Sequence, residues 1–404
     1  MPRPPRTLLA TACALAVFAT AACSPGGAGS AAPATTAPAT SAAPSASVGP
    51  TDGDRGVSLI VGGPAHASVL TRDVVVTGLK SPWALAFLPD GSFLVSERDT
   101  GFIKHIRAGV AVRLNGPGAQ AIRAKIVPAG EGGLLGLAIS PADPTLVYAY
   151  VSRADGNAVV RMALSGDLLS NPVDIVTHIP HAKNHNGGGL AFGPDGFLYI
   201  STGDATTSAN AQDEASLAGK ILRVIADGAD KDGSPAPGNP FDSQVWSLGH
   251  RNVEGFGWVS DGRMYASELG QDLLDELNLI TSGANYGWPT VEGTARAPAG
   301  TVLGATADGL TYPVAQWSTD DASPSGIAIT HEAIYVAALK GERLWRVPLT
   351  RDGTGIPEVI LDGLGRIRNV VVGPDGALYV LTNNTDGRGK PRAEDDHVVR
   401  ITVG

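Results

Sequence analysis

Cysteine is almost absent from this 404-residue sequence, and the two that occur, Cys13 and Cys23, both lie near the N-terminus. The rest of the chain therefore has no disulfide bond and no thiol ligand for a metal ion. Charge is also sparse, since Asp, Glu, Lys and Arg make up 17% of the residues, and the net charge is −9. No basic cluster appears along the chain, which argues against a nucleic-acid partner.

The N-terminal segment has the pattern of an export signal. Arg3 and Arg6 precede an apolar run over residues 8–18, and two alanines stand directly before Cys23. Small residues followed by cysteine resemble a bacterial lipobox, in which the cysteine carries the lipid after cleavage. Thr20 departs from this pattern, because a branched aliphatic residue is usual there. We predict a lipoprotein-type signal peptide with lipidation at Cys23, and plain secretion is the alternative.

The residues after this signal are unsuited to a packed core. Positions 24–57 consist mainly of Ala, Pro, Ser, Thr and Gly, a composition that predicts a disordered tether. The predicted organisation is thus a signal peptide over 1–23, a tether over 24–57 and a folded domain over 58–404. We expect this domain outside the cytoplasm, either on the outer face of the cell membrane and attached only by the lipid, or secreted.

Glycine and proline are abundant, with 52 and 29 residues, and they punctuate a unit that recurs through the folded part. Each copy has a small-residue turn, an alternating apolar strand, a turn resembling Pro-Asp-Gly and a second strand. The copies begin near Pro82, Gly136, Gly189, Asn252, Ser325 and Arg368. Alternating hydrophobicity with regular turns predicts an all-β fold. Repeats of roughly 50 residues are typical of propeller blades, so six copies predict a six-bladed β-propeller.

A propeller also needs its first and last strands joined. The segments 73–76 and 398–402 are both apolar and extended in pattern, and they are candidates for this closure. A propeller places its ligand site at one end of the central channel, where the loops of all blades converge. Residues that are far apart in the sequence can therefore meet there.

His185 and Asp204 form the first candidate pair. His185 stands between two asparagines, and Asp204 ends the strand that follows the turn 194–196. If the two strands pair, both residues lie at neighbouring strand ends, close enough for the carboxylate to hold the imidazole. Such a histidine can act as a general base, because its pKa lies near neutrality and the acid fixes its tautomer. An exposed and idle turn residue is the alternative that the local sequence allows.

Four cations stand beside inner strands of the repeats, namely Arg251, Lys340, Arg366 and Arg368. Each alone could be a solvated surface charge, but closure of the ring would bring them to one rim. Arginine binds carboxylates through a bidentate fork, so the cluster predicts a small anionic ligand that is rich in carboxylates. The loop over 268–272 is dense in oxygen ligands that suit calcium, although it lacks EF-hand spacing.

Several stretches become recognisable when they are taken together and in order. They include 130–136 (GEGGLLG), 185–188, 193–196, 202–204, 219–223, 249–252 (GHRN), 275–280, 285–289 (NYGWP) and 366–368. In these stretches the chain resembles the soluble pyrroloquinoline-quinone (PQQ)-dependent sugar dehydrogenases, the glucose/sorbosone dehydrogenase family, in its aldose sugar dehydrogenase type. The resemblance extends from about Val76 to the C-terminus and implies a six-bladed propeller, in agreement with the repeats.

This resemblance implies a quinoprotein oxidoreductase. Aldose sugars would be oxidised at the anomeric carbon to lactones, with PQQ as the hydride acceptor and an external acceptor for the electrons. His185 would be the base that takes the proton of the anomeric hydroxyl, and Asp204 would orient and polarise it. Glu131 and Asn184 would face the sugar.

The resemblance also implies the residues that bind the cofactor and the metal. The calcium ion that polarises the quinone would be bound by main-chain carbonyls of Gly270 and Gln271. The quinone would be held by Arg251, Asn252, Glu254, Lys340, Arg366 and Arg368. Glu254 departs from the family pattern, because it replaces a glutamine and brings a negative charge near an anionic cofactor.

Two further functions remain open at this point. The first is a propeller without turnover that binds carbohydrate or a protein, which Glu254 favours. The second is a calcium-dependent lactonase, which would need side-chain carboxylates and an asparagine around one metal in the channel and would have no use for four cations.

Overall fold

The computed structural model describes residues 66–226, 232–351 and 353–404. The predicted signal peptide over 1–23, with Cys23, and the predicted tether over 24–57 lie outside these ranges. In the part of the chain that is described, no helix is long and apolar enough to cross a membrane.

The described residues form six antiparallel sheets of four main strands each, which confirms the six-bladed propeller. The first blade contains the strands Pro82–Phe87, Phe93–Glu97, Phe102–Arg107 and Val110–Arg113. The second contains Leu134–Ile139, Leu146–Arg153, Gly156–Ser165 and Val173–Ile179. The third contains Leu190–Phe192, Leu198–Ser201, Lys220–Val224 and Val245–Leu248.

The remaining three blades follow the same order. The fourth contains Val253–Trp258, Met264–Glu268, Leu274–Ile280 and Ala315–Ser318. The fifth contains Pro324–Ile329, Ala333–Ala338, Arg343–Thr350 and Glu358–Asp362. The sixth contains Ile367–Val372, Leu378–Thr382, Val398–Val403 and Val69–Val76.

A few short elements decorate these blades. They are the helix Gly116–Lys125, the 3₁₀ helices Ser208–Gln212 and Pro240–Asp242, and the short strands Leu168–Leu169, Thr306–Ala307, Leu310–Thr311 and Gly353–Thr354.

The ring is closed by the strand that comes first in the described chain. Val69–Val76 pairs with Val398–Val403, and Asp73 lies opposite Arg400 in this register. The predicted closure between 73–76 and 398–402 is therefore confirmed. Because the first strand completes the last blade, the two ends of the folded part stabilise the same sheet.

The first strand of every blade lines a central cavity of about 210 Å³. Neighbouring first strands approach so closely that glycine is required at several contacts. A Cβ atom at Gly136 would lie 2.1 Å from the carbonyl oxygen of Gly188, and one at Gly255 would lie 2.3 Å from that of Ser325. The small residues that mark each repeat in the sequence are thus the points where the blades meet.

The two ends of the ring differ in how the chain crosses them. At one end, which we call the turn end, short turns join the first and second strands of each blade, and the Pro-Asp-Gly-like turns of the repeats at 89–91, 194–196, 260–262 and 374–376 lie there. At the opposite end, the loop end, lie the connections that precede each first strand and follow each second strand, and the longest of those after second strands are 202–219 and 383–397. The predicted site residues all lie at the beginnings of first strands or in the loops of this loop end.

Candidate active site

His185 and Asp204 meet at the loop end of the third blade. The imidazole Nδ1 lies 2.8 Å from Asp204 Oδ1. The same oxygen accepts the Thr206 backbone N–H at 2.7 Å, and the indole Nε1 of Trp288 donates to the other oxygen at 2.8 Å. A carboxylate held in this way accepts the Nδ1 proton, so the free lone pair of the imidazole is on Nε2. The geometry is that of a histidine oriented for proton transfer.

The backbone at His185 is also constrained. Its φ of 59° lies in the left-handed region, which residues other than glycine rarely adopt. The His185 N–H donates to Glu131 Oε2 at 2.8 Å, and Ala205 N–H donates to the His185 carbonyl at 3.2 Å. Two loops therefore hold the histidine in a conformation that it would not adopt alone.

Glu131 links this histidine to a residue that the sequence analysis missed. Its second oxygen, Oε1, accepts from Arg388 Nη1 at 2.8 Å. Burial by itself would raise the pKa of Glu131, but the His185 N–H and the Arg388 guanidinium outweigh it and hold that pKa below its usual value. The carboxylate is thus ionised at neutral pH and bound on both oxygens.

Asn184 and Asn252 flank the same histidine. The side-chain oxygen of Asn184 is buried and has no hydrogen-bond partner in the described structure. Asn252 Oδ1 accepts the Gly187 N–H at 2.9 Å, and its amide lies 3.5 Å from Glu254 Oε1. Asn252 therefore fixes the glycine loop, whereas Asn184 offers an unused acceptor.

Arg251 is the buried cation that is least satisfied by the protein. It is 9% exposed, and its Nε has no hydrogen-bond partner in the described structure. Nη1 donates to the Leu269 carbonyl at 3.1 Å, and the guanidinium lies 5.5 Å from the centre of the Trp288 ring. Burial lowers its pKa below the usual value. A ligand with an acceptor group would satisfy the free N–H.

Arg366 and Arg368, in contrast, are already paired within the chain. Arg366 Nε and Nη2 donate to Asp386 Oδ2 at 3.0 and 2.9 Å. Arg368 Nη1 donates to Glu254, and with the Asn383 amide suitably oriented Nε donates to its oxygen at 2.9 Å. The sequence predicts an external anion for these cations, but the loop end supplies carboxylates of its own.

Glu254 has a defined partner in this arrangement. It is 6% exposed, and the oxygen that contacts Arg368 also accepts from Ser325 Oγ at 2.7 Å. Its negative charge therefore acts mainly on Arg368 and does not stand alone beside the site.

Lys340 lies at the same end but outside this buried group. Its side chain is 57% exposed and pairs with Asp320 in the loop before the fifth blade. The structure thus buries three of the four predicted cations at the loop end and leaves the lysine near the solvent.

The predicted metal residues Gly270 and Gln271 lie in the loop that follows the second strand of the fourth blade. Their N–H groups donate to Asp275 Oδ1 and Glu292 Oε1 at 2.9 and 2.8 Å. Glu292 Oε1 also accepts the N–H groups of the next three residues. Carboxylates hold this loop from its N–H side, which leaves the carbonyl oxygens as the groups that could bind a cation. Among the described side chains, no three or more His, Cys, Asp or Glu residues cluster as metal ligands.

Two buried acids lie directly beyond this loop. Burial raises the pKa of Asp275 to about 7, although N–H groups of Ser323 and Gly270 oppose the shift. Burial and the nearby Glu268 raise the pKa of Glu276 to about 8. Burial therefore brings the pKa values of both carboxyl groups close to neutrality.

Over residues 79–391 the sequence matches the family described as Glucose / Sorbosone dehydrogenase. The chain belongs to this family. Its predicted membership is confirmed.

Individual relatives agree with this assignment. The aldose sugar dehydrogenase of Escherichia coli K12 is 28% identical over 352 residues, which cover 80% of this chain and 92% of that protein. Quinoprotein glucose dehydrogenase B of Acinetobacter calcoaceticus is 30% identical over 268 residues, or 57% of this chain and 54% of that protein. The PQQ-bound structure of aldose sugar dehydrogenase from Streptomyces coelicolor is 45% identical, with a TM-score of 0.75, and the match covers 84% of this chain and 99% of that one.

The site of this family member also contains residues that the sequence analysis did not select. Trp288 lies in the stretch 285–289 that supports the resemblance, so this stretch could have identified it as a site residue. Arg388, Asp386 and Glu292 lie in polar loops with no repeat or motif. Only the closed ring shows that they reach the site.

Proposed function

We propose that the protein oxidises aldose sugars at the anomeric carbon to lactones, with PQQ as the hydride acceptor and an external acceptor for the electrons. The observation that carries this proposal is the His185–Asp204 pair, with its 2.8 Å contact, in a chain 45% identical to an aldose sugar dehydrogenase solved with PQQ. The three site carboxylates Asp204, Glu131 and Glu254 are each bonded to a donor of the protein. Each of these carboxylates therefore has a hydrogen-bond partner in the protein before any ligand binds.

One buried atom supports the fit of a quinone that carries carboxylates. Arg251 Nε is a buried donor that has no hydrogen-bond partner in the described structure. Asn184 Oδ1 is a buried acceptor without a partner there, and it suits a hydroxyl group of the sugar. An arginine donor is suited to a carboxylate or a quinone oxygen. The residues that would hold the cofactor are Arg251, Asn252, Arg366 and Arg368, with Glu254 as the counter-ion of the last. Lys340 would need to leave Asp320 to contribute.

His185 would act as the general base. Its Nε2 would take the proton of the anomeric hydroxyl, and Asp204 would stabilise the resulting imidazolium through Nδ1. Trp288 keeps the carboxylate of Asp204 in place, so the imidazole does not need to reorient during proton transfer. When bound, the quinone would accept the hydride of the anomeric carbon.

Calcium belongs to the same proposal. Main-chain carbonyls of Gly270 and Gln271 would bind it, since oxygen ligands including main-chain carbonyls are what calcium prefers. A lactonase with side-chain ligands is not proposed, because no suitable cluster occurs among the described residues. The binding module without turnover loses the observation that favoured it, because Glu254 is paired with Arg368.

The location of the enzyme is also proposed from the sequence. A cleaved signal with a lipid on Cys23 would hold the propeller on the outer face of the cell membrane, where periplasmic or extracellular sugars and an external electron acceptor are accessible. Secretion without the lipid remains the alternative outcome for the same signal.

A reconstitution experiment tests the proposed function. The purified protein is titrated with PQQ in the presence of calcium or of a chelator, and a panel of aldoses and an artificial dye are then added. Dye reduction that needs both quinone and calcium is the expected result, and NAD in place of PQQ is the control. Absence of quinone binding in the presence of calcium would overturn the proposal.

A further inference from the structure

Arg388 is a half-exposed residue whose guanidinium is bonded to Glu131, the carboxylate that binds the backbone of His185. It lies in the loop between the second and third strands of the sixth blade, whereas His185 precedes the third blade. Its Nη1 is 2.8 Å from Glu131 Oε1, and Glu131 Oε2 accepts the His185 N–H at 2.8 Å. One carboxylate therefore separates Arg388 from the backbone of the base.

The loop is built to present this side chain. Asp386 Oδ1 accepts the N–H groups of Arg388 and Gly389 at 2.8 and 3.1 Å, while its Oδ2 binds Arg366. These bonds fix the turn without any contribution from the Arg388 guanidinium. The pair with Glu131 is therefore not needed to order the loop.

The pair also contributes little to folding. The Arg388 side chain is 52% exposed, and solvent screens an ion pair that is open to water on one side. A guanidinium has five N–H groups, and the contact with Glu131 uses one of them. Donors thus remain available to a ligand beside the base.

Arg388 lies close enough to other candidate residues for their charges to change its pKa. Partial burial alone would lower its pKa, but Glu131 first, and then Asp386 and Glu254, raise it above the usual value. Arg388 in turn contributes to the lowering of the Arg366 pKa. Because the Arg388–Glu131 pair is neutral as a whole, it suits an uncharged polyol better than an acidic sugar.

We propose that Arg388 is a sugar-binding residue that determines which aldose is preferred. A guanidinium N–H donates to one hydroxyl of the sugar, while the adjacent Glu131 carboxylate accepts from the neighbouring hydroxyl. The pair thus binds two adjacent hydroxyl groups and holds the sugar beside His185. This inference rests on the proposed function and names the residue that selects among its substrates.

The test compares Arg388→Gln with Lys390→Gln, which makes the same change of charge at an exposed position two residues further in the same loop. The first measurement is calorimetric binding of a 1,5-anhydroalditol, which has no anomeric hydroxyl and cannot be oxidised. Loss of a hydrogen bond to a charged group predicts binding about 10-fold weaker for Arg388→Gln. Binding to Lys390→Gln should match the wild type, and Arg388→Lys should recover part of the loss.

The second measurement is steady-state turnover with aldoses that differ at a single hydroxyl. For Arg388→Gln we expect a rise in KM of about 10-fold with a smaller change in kcat, and a reduced preference between epimers at one ring position. Quinone affinity should stay at the wild-type value. Unchanged sugar binding and an unchanged epimer preference would overturn the role of Arg388, and so would an equal loss of quinone affinity.

Failure of the proposed function gives a different result. In that case the wild-type protein shows no quinone-dependent dye reduction with any aldose. The anhydroalditol titration still decides the role of Arg388, because it needs no turnover and can be carried out without quinone. Wild-type protein that binds no such sugar overturns the inference.

Discussion

The two ends of the ring differ in which of their acidic side chains are buried. At the turn end, hydrogen bonds from Ser92 and Arg263 hold the pKa values of Asp90 and Asp261 below the usual range. At the loop end, burial raises the pKa of Asp275 to about 7 and that of Glu276 to about 8. Asp90 and Asp261 are stabilised as anions by their own turns, whereas Asp275 and Glu276 are shifted towards the neutral form. Glu131, which faces the site at the loop end, stays anionic because the His185 N–H and Arg388 bind it.

This difference reflects what each end does. A turn-end aspartate bonds to the N–H two residues on, as Asp90 does with Ser92 at 3.0 Å, and needs nothing from other blades. At the loop end some charges have partners from other blades, as Arg368 of the sixth blade has in Glu254 of the fourth. The turn end consists of local turns that shape the propeller, whereas the loop end contains buried charges that no local turn requires.

Replacement of His185 should give the largest effect at the loop end. His185→Gln removes the base and keeps a side chain of similar size beside Asp204, so turnover should fall by about 10²- to 10⁴-fold. Quinone affinity, measured by titration, should remain near the wild-type value because the cofactor residues are unchanged.

A turn-end histidine provides the matched control. His331, between the first and second strands of the fifth blade, is exposed, and His331→Gln should leave turnover unchanged. Full activity of His185→Gln would remove His185 from the role of base.

Replacement of Glu254 should change the cofactor site by a smaller amount. Glu254→Gln frees Arg368 from its counter-ion, so the unloaded protein should be less stable and quinone affinity should rise by about 10-fold. The measurement is the increase in Tm on addition of quinone, which should be larger for the variant than for the wild type.

The same charge change at the turn end tests whether this effect is local. Glu332 lies between the first and second strands of the fifth blade, and Glu332→Gln should leave the quinone-induced rise in Tm unaltered. A weaker quinone response in Glu254→Gln would mean that Glu254 assists the cofactor directly.

The smallest effect should be seen in the pH dependence of stability. Asp275 and Glu276 have folded pKa values of about 7 and 8, above the unfolded values of 3.8 and 4.5. Between these limits the folded state binds more protons than the unfolded state, so stability should fall as pH rises from 5 to 8. His397, whose pKa is lowered mainly by burial, opposes this trend with a single proton.

Calorimetric Tm values at several pH values between 5 and 8 check this prediction. Glu276→Gln should flatten the upper part of the curve, because the group that ionises near pH 8 is removed. Asp261→Asn at the turn end should leave the slope unchanged, since hydrogen bonds from Arg263 hold the pKa of that carboxyl below its usual value and outside this range. A stability that rises with pH over this range would contradict the titration of the buried pair.

Some of the site follows from short-range sequence patterns. His185 and Asp204 were predicted to meet because they precede and follow two strands joined by a turn, and the register of Leu190 with Ile200 brings their ends together. Trp288 belonged to a stretch that supported the family resemblance, although its bond to Asp204 could not be read from the sequence.

Other parts of the site depend on contacts that no local pattern describes. Arg388 and Glu131 are 257 residues apart, and Glu254 and Arg368 are 114 residues apart. From the sequence alone, Arg368 is therefore predicted to bind an external anion. A side chain in an irregular loop shows no periodic pattern in the sequence. Its partner is determined only when the ring closes.

By itself, the sequence determined the six repeats, the turns between their strands, the closing strands and the family. These follow from alternating hydrophobicity, turn residues and collinear motifs, which act over a few residues at a time. Only the tertiary structure decided which charges compensate one another, since the first strands converge on a channel narrow enough to require glycine. That convergence pairs Arg368 with Glu254 of another blade and brings Arg388 to Glu131, which binds the backbone of His185. It also leaves Arg251 Nε without a partner in the described structure.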